Sequence, residues 1–127
     1  MNIQNEETIW NLVEAKKEAF IELADRVFDT PETLYEEFQS VKEHVARLEA
    51  EGFRITQNVC GMPTAVIGEA GDEGPIIAIL GEFDALPGLS QEPGVAKHKP
   101  IAEGGDGHGC GHNLLGSAAL LAATAVK

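Results

Sequence analysis

The chain has 127 residues, of which 9 are Lys or Arg and 21 are Asp or Glu, so its formal net charge at pH 7 is −12. This charge disfavours nucleic acid and anionic membranes as partners, because both are themselves negatively charged. A hydrophobic content of 43% excludes a chain that is disordered throughout. The chain has only two cysteines, its N-terminus is too polar for a signal peptide, and it has no apolar stretch long enough to span a membrane. These features favour a cytoplasmic protein.

Two amphipathic helices are predicted within residues 5–51. Apolar residues recur at three- and four-residue steps over 9–28, with charged residues between them. A second apolar stripe follows, with Thr30 as its expected N-cap, Pro31 at the first helical position and Gly52 as its stop. A helix that covers one face of a sheet fits this short stripe better than the alternative, a coiled coil.

Short strands and loops are predicted over residues 53–112. Segments 53–56 and 64–67 have the composition of strands. The unbroken apolar run 76–80 predicts a strand buried on both sides in a central sheet with helices packed on it. The 31 residues of 82–112 are rich in Gly and Pro, and a loop of this length is usually functional or disordered. The predicted fold class is therefore α/β.

A final helix is predicted over residues 113–126, with Asn113 as its N-cap. The segment has no charged residue and is apolar all round, which is typical of a helix buried on several sides. Since nothing else in the sequence obviously covers it, we expect the chain to be the N-terminal piece of a longer protein. A complete small domain with a C-terminal core helix is the alternative.

His108, Cys110 and His112 form the densest group of chemically active side chains. Imidazole and thiolate are preferred ligands of zinc and related ions. In an extended segment alternate side chains point to the same side, which would let these three converge on one ion. The alternative interpretation is two loop histidines beside a buried free cysteine. A closed zinc site needs four ligands, so the others must come from elsewhere.

Glu82 and Asp84 follow the predicted buried strand at its carboxyl end. Sites form at this end of open α/β sheets, so these carboxylates are placed to orient a metal ligand or a water molecule. Cys60 has no partner motif and is predicted to be structural. A disulfide between Cys60 and Cys110 is an alternative that fits poorly with a cytoplasmic chain.

These motifs resemble those of the two-metal aminoacylase and carboxypeptidase superfamily. The resemblance is to the amidohydrolase branch that includes aminobenzoyl-glutamate hydrolases, aminoacyl-conjugate hydrolases and related dipeptidases. GEFDALP at 81–87 is similar to the strand-end motif of this branch, and GHGCGHN at 107–113 is similar to its cysteine-containing metal motif. The resemblance covers essentially all of residues 1–127 and implies an incomplete catalytic domain of a metallopeptidase, without the lid and dimerisation domain.

The resemblance also implies roles for single residues. Cys110 and His112 would be metal ligands, and Asp84 would be the catalytic residue that orients the metal site. Two divalent ions, zinc, manganese or cobalt, would be bound in the complete enzyme. The residues expected next to the ligands are His108, Glu82 and Asn113. Many members of the branch have Asp at position 113 and His at position 115, so Asn113 and Leu115 point to the aminobenzoyl-glutamate or dipeptidase subgroup.

The implied function is metal-dependent hydrolysis of the amide bond of an N-acyl amino acid, aminobenzoyl-glutamate or a dipeptide. The partner would be this small-molecule substrate, with a homodimer in the complete protein. The general base and the remaining ligands of the family would follow Lys127, so we expect the chain alone to be inactive. A non-catalytic metal-binding or protein-interaction module is the alternative, and a purely structural α/β domain is a third.

Overall fold

The computed structural model describes residues 3–127, with side chains from residue 5 onward. Its elements are α1 (Ile3–Phe28), α2 (Phe38–Ala50), β1 (Arg54–Gln57), a 3₁₀ turn (Val59–Gly61), β2 (Val66–Glu69) and α3 (His112–Val126). The two strands form an antiparallel sheet in which Arg54 pairs with Glu69 and Gln57 with Val66. None of the described helices is long and apolar enough to cross a membrane. The mixed α/β class predicted from the sequence is confirmed.

The hydrophobic core lies where the three helices meet. Helix α1 is the predicted first amphipathic helix, and its apolar stripe supplies most of the core. Each large apolar side chain buried here contributes about 1.5–3 kcal/mol relative to exposure. The core residues are Phe20, Leu23, Val27, Leu48 and Leu120, with Phe53, Ile55, Val66, Phe83 and Leu121 packed against them.

Helix α3 packs on α1 partly through polar groups. The Ser117 hydroxyl donates a hydrogen bond of 2.6 Å to the carbonyl of Phe20, and the Asn113 amide donates one of 3.2 Å to the carbonyl of Ala24. Asn113 is therefore buried against α1, and the expectation that it caps the helix is wrong. The N-cap is Gly111, whose φ of +81° lies in the left-handed region that glycine adopts without strain.

The opposite face of α3 remains exposed. Leu114, Leu115 and Val126 are 62%, 43% and 54% exposed. This exposed apolar face agrees with the observation that nothing else in the sequence obviously covers the helix, and its burial in a longer protein stays a prediction. Helix α3 contacts α1 and, around Gly116, α2, and no described element covers the face that carries Leu115 and Val126.

Helix α2 begins later than the sequence predicts. Residues 31–37 form a bridge and turns, so Thr30 and Pro31 do not start the helix. The Glu32 carboxylate instead accepts the backbone N–H groups of Gln39 and Ser40 at 2.9 and 2.8 Å, and the Ser40 hydroxyl at 2.8 Å. Segment 31–37 is held in this shape because the Ala85 N–H donates to the Glu32 carbonyl at 2.7 Å.

The predicted central strand is the main error in the sequence-based fold. The first two predicted strands exist, displaced by one or two residues, as β1 and β2. Residues 76–80 form neither strand nor helix, and Ile76 and Leu80 are 97% and 89% exposed. A strand needs a hydrogen-bonded neighbour, and the described residues place none beside this segment. The two-stranded sheet packs on α2 instead of lying centrally between helices.

The long loop predicted over 82–112 is confirmed. It contains no strand, and helix α3 begins only at its last residue, His112. Its middle is ordered by Gln91, whose side-chain amide donates to the carbonyl of Lys97 at 2.9 Å and accepts the N–H of Lys99 at 2.9 Å. The Ser90 hydroxyl accepts the N–H of Ala102 at 3.0 Å. Side-chain hydrogen bonds thus order this loop, which has no helix or strand to do so.

Candidate metal centre

Two isolated β-bridges bring the two sequence motifs together. Thr33 forms a parallel bridge with Ala85, and Leu86 forms an antiparallel bridge with Gly107. In the second bridge, Leu86 and Gly107 exchange two backbone hydrogen bonds of 3.0 and 3.1 Å. The residues that follow Asp84 are thereby joined to the residue that precedes His108.

Gly107 is required at this junction for steric reasons. A Cβ atom there would overlap the backbone carbonyl of Leu89, which cannot rotate away as a side chain can. Any larger residue would push the metal motif away from the backbone at Leu89, next to the bridge with Leu86. The glycine of the second motif therefore permits the close approach on which the site depends.

Asp84, His112 and Glu82 meet in one cluster. Nδ1 of His112 lies 2.8 Å from Oδ1 of Asp84, and Nε2 lies 3.2 Å from Oε2 of Glu82. One ligand atom from each residue lies within 4.8 Å of the others, a spacing that suits a metal ion. The side chains of His112 and Asp84 are largely buried, at 16% and 25% exposed, whereas that of Glu82 is 62% exposed. The cluster is thus open to solvent on its Glu82 side.

The arrangement has a defined chemistry. A carboxylate can only accept a hydrogen bond, so the contact with Asp84 places the proton of a neutral His112 on Nδ1. Nε2 then faces the Glu82 carboxylate, and its lone pair would be satisfied by a metal ion that both groups bind. Many metal-binding histidines have this arrangement: one ring nitrogen donates a hydrogen bond to a carboxylate, and the other binds the metal. The carboxylate fixes the orientation of the ring and increases its basicity.

Cys110 and His108 lie outside this cluster. Residues 108–111 form a turn, with the Gly111 N–H bonded to the His108 carbonyl at 2.9 Å, so the alternation expected of an extended segment does not apply. Cys110 is exposed, and both it and Cys60 are free thiols without a disulfide. In this structure His108, Cys110 and His112 do not converge on one point.

His108 is buried and directed at α1. Its Nε2 atom lies 3.1 Å from the carbonyl of Val27, which requires the proton on Nε2, and its Nδ1 atom has no hydrogen-bond partner among the described residues. Burial lowers the pKa of His108, with the nearby His112 acting in the same direction. The bond to Val27 and the charge of Asp84 oppose this shift. His108 thus anchors the metal motif to α1 as a neutral ring.

Comparisons with known proteins identify hydrolases among the relatives of this chain. The sequence is 49% identical over 115 residues to one of the subunits of p-aminobenzoyl-glutamate hydrolase from Escherichia coli strain K12. It is 30% identical over 122 residues to thermostable carboxypeptidase 2 and to thermostable carboxypeptidase 1 of Saccharolobus solfataricus. The chain is homologous to hydrolases of the aminobenzoyl-glutamate hydrolase and carboxypeptidase group.

The homology covers most of this chain but little of the relatives. Each match includes 91% of the chain, which spans 24% of the length of the bacterial hydrolase and 30% of each carboxypeptidase. The matched region is the N-terminal part of these proteins. No protein-family model matches the chain. The predicted resemblance to an enzyme family of amidohydrolases and carboxypeptidases is confirmed.

His44 was missed by the sequence analysis. It lies on α2, is 4% exposed, and stacks on Phe83 with ring centroids 4.5 Å apart. Burial lowers the pKa of His44, against the opposing effects of its bond to the Ser40 carbonyl and of the Glu43 charge. Its position three residues after Val41, within the apolar stripe of α2, is the sequence signal that predicts a buried ring.

Proposed function

We propose that this chain forms the N-terminal, metal-binding part of a hydrolase that cleaves the amide bond of an N-acyl amino acid, aminobenzoyl-glutamate or a dipeptide. The observation that carries the proposal is the cluster of Glu82, Asp84 and His112, whose ligand atoms lie within 4.8 Å of one another. The cluster joins the two motifs by which the chain resembles amidohydrolases. Relatives named as a hydrolase and as carboxypeptidases support the same class of reaction.

The donor set of the cluster fits a divalent ion. Imidazole nitrogen and carboxylate oxygen are ligands that zinc, manganese and cobalt accept. His112 would bind through Nε2, because Nδ1 faces Asp84, and Glu82 would supply an oxygen. A bound divalent ion supplies polarisation of the amide carbonyl and a water molecule of lowered pKa. Asp84 would act by holding the His112 ring in its binding orientation.

We propose Cys110 as a further metal ligand because of the resemblance of the 107–113 motif to the metal motif of the family. Its exposed thiol lies two residues before His112, on the turn that leads into α3. Thiolate is a strong ligand for zinc and cobalt, so its participation can be measured directly.

Titration of the chain with Co²⁺, followed by absorption spectroscopy, tests these assignments. We expect a saturable spectrum that is lost in His112→Ala and that loses its thiolate-to-cobalt band in Cys110→Ser. Cys60→Ser is the matched control, because Cys60 is the other free exposed cysteine and lies outside both sequence motifs. A chain that binds no Co²⁺, or a His112→Ala variant that binds it as tightly as the natural sequence, contradicts the proposal.

The reaction itself requires groups that the described residues do not bring to the cluster. No further His, Cys, Asp or Glu among them joins Glu82, Asp84 and His112. We therefore propose that the 127-residue chain alone is inactive or nearly so. Hydrolysis of aminobenzoyl-glutamate by the purified chain with added Mn²⁺, abolished by a chelator, would refute this.

A second candidate function is a non-catalytic metal-binding or protein-interaction module. The exposed apolar segment 76–80 favours it, because contiguous exposed apolar surface is typical of a binding surface. Metal binding without hydrolysis, in a protein extended to the length of its relatives, would make this the leading function. The favoured hypothesis instead expects hydrolysis of a small-molecule substrate by the extended protein. It also expects that protein to be a cytoplasmic homodimer.

A further inference from the structure

His44 contacts Phe83, the residue between the two carboxylates of the candidate metal centre. Its ring stacks on that of Phe83 at a centroid distance of 4.5 Å and an interplanar angle of 28°. Phe83 separates Glu82 from Asp84 and packs against the core, whereas both carboxylates lie beside His112. His44 therefore supports the back of the segment whose front carries the two carboxylates.

Gly116 brings the same ring close to helix α3. A Cβ atom at Gly116 would lie 2.7 Å from Nε2 of His44 and 2.8 Å from the carbonyl oxygen of Glu82. The His44 ring, the Glu82 backbone and α3 thus meet at one point. His112 lies on the same helix, four residues or about one turn before Gly116. This contact determines how closely the Glu82 segment approaches the first turn of α3.

The choice of histidine at position 44 is difficult to explain by stability alone, because one of its buried ring nitrogens has no hydrogen-bond partner among the described residues. Its Nδ1 atom is 2.9 Å from the Ser40 carbonyl and must carry the proton, since a carbonyl only accepts. Nε2 is then a buried acceptor without a partner among the described residues. A buried polar atom without a hydrogen bond destabilises a fold, and an apolar ring would avoid this cost. The flat, unprotonated edge of the imidazole does allow Gly116 and Glu82 to approach it.

We propose that His44 is a positioning residue that holds the Glu82–Asp84 segment, through Phe83 and Gly116, where Asp84 reaches His112. The inference builds on the proposed function, because it concerns the same site. It assigns to α2 a part in the metal centre that none of the sequence motifs contains. The Asp84–His112 contact joins two side chains of the protein, so it can be measured before any metal ion is added.

The test uses two readouts on the ¹⁵N-labelled chain. The first is the His112 Nδ1–H resonance, which a hydrogen bond to Asp84 protects from exchange with water, assigned by its loss in His112→Gln. The second is the dissociation constant for Mn²⁺, measured by calorimetry. The variants are His44→Ala, which removes the ring, and His44→Phe, which retains stacking but enlarges the ring edge that faces Gly116. Leu48→Ala is the matched control, because Leu48 is buried on the same helix and packs towards Gly68 of β2.

We expect both His44 variants to lose the protected resonance and to bind Mn²⁺ about tenfold or more weakly, as when a ligand-orienting contact is lost. Leu48→Ala should keep both signals at a temperature where circular dichroism shows all variants folded. The inference is overturned if the His44 variants keep the resonance, if Leu48→Ala loses it equally, or if the natural sequence lacks it. A natural sequence that shows the resonance and loses it on His44 substitution, yet binds no Mn²⁺, contradicts the proposed function and supports the positioning role.

Discussion

Nδ1 of His112 lies 2.8 Å from Oδ1 of Asp84, the shorter of the two side-chain contacts that join the metal motif to the strand-end motif. Replacing Asp84 by Asn keeps the size of the side chain and removes its charge. We expect Mn²⁺ or Co²⁺ affinity to fall about 10–100-fold, because the His112 ring loses the carboxylate that orients it and increases its basicity. Calorimetric titration of the chain measures this change.

Glu92→Gln is the control for that experiment. Glu92 is a loop carboxylate paired with Lys99 at 2.7 Å and lies outside the cluster. Its replacement should leave metal affinity unchanged. Equal affinities for Asp84→Asn and the natural sequence would show that the contact does not orient a ligand.

Gly107→Ala is expected to destabilise the chain. The added Cβ would overlap the Leu89 carbonyl and force apart the bridge between Leu86 and Gly107. We expect the free energy of unfolding in urea to fall by about 1–3 kcal/mol, the usual cost of overpacking. Gly109→Ala is the matched control, because its new Cβ would meet only side-chain atoms of Leu89, at 3.0 Å and beyond. If Gly109→Ala costs as much, the backbone overlap is not the cause.

Gly116→Ala should also destabilise the chain, although alanine is the better helix former. In an open helical position this change gains about 0.5–1 kcal/mol. Here the new Cβ would meet His44 Nε2 at 2.7 Å and the Glu82 carbonyl at 2.8 Å, so we expect a net loss. Thermal and urea unfolding give the sign, and a stabilised variant would exclude a tight contact between these groups. Ala118→Gly makes the reverse change at an exposed position of α3 and so measures the difference in helix propensity alone. It should lower the free energy of unfolding by about 1 kcal/mol.

Glu32→Gln tests the unusual start of α2. The Glu32 carboxylate accepts the N–H groups of Gln39 and Ser40 and the Ser40 hydroxyl, so it caps a helix from outside that helix. A neutral amide accepts more weakly than a carboxylate, and we expect a loss of about 0.5–2 kcal/mol in unfolding free energy. Glu36→Gln, at an exposed position nearby, should change stability little. Similar losses for both variants would argue against capping by Glu32.

Features that depend on local pattern were predictable from the sequence. The apolar stripe of α1 has the helical period, and the turn residues at 82–112 correctly predict a long loop. The start of α2 was not predictable, because Thr30 and Pro31 have every local feature of a helix start. Two long-range contacts of Glu32, with Ser40 and Ala85, outweigh that local preference.

The run 76–80 shows the other limit. Its composition predicts a buried strand, but strand formation requires a neighbour, which composition does not supply. For the site, the sequence identified Asp84, Glu82 and His112 individually, whereas their meeting depends on the Leu86–Gly107 bridge. His44 was missed because its link to the site is a stack on Phe83, 39 positions away in the sequence, and no motif records such a contact.

Stability should fall as the pH is lowered from 7.5 to 5.5, in part through His44. Burial lowers the pKa of His44 below its ordinary value of 6.5, so the unfolded chain takes up a proton in this range that the folded chain excludes. Neutral His44 makes its full contribution to the free energy of unfolding above pH 6.5. Below that pH the contribution falls by up to about 1.4 kcal/mol per pH unit, until His44 is also protonated in the folded chain. Urea unfolding at several pH values measures the slope. His44→Phe should reduce the slope without removing it, because the pKa of His108 is lowered as well. An unaltered slope in His44→Phe would contradict a neutral, buried His44.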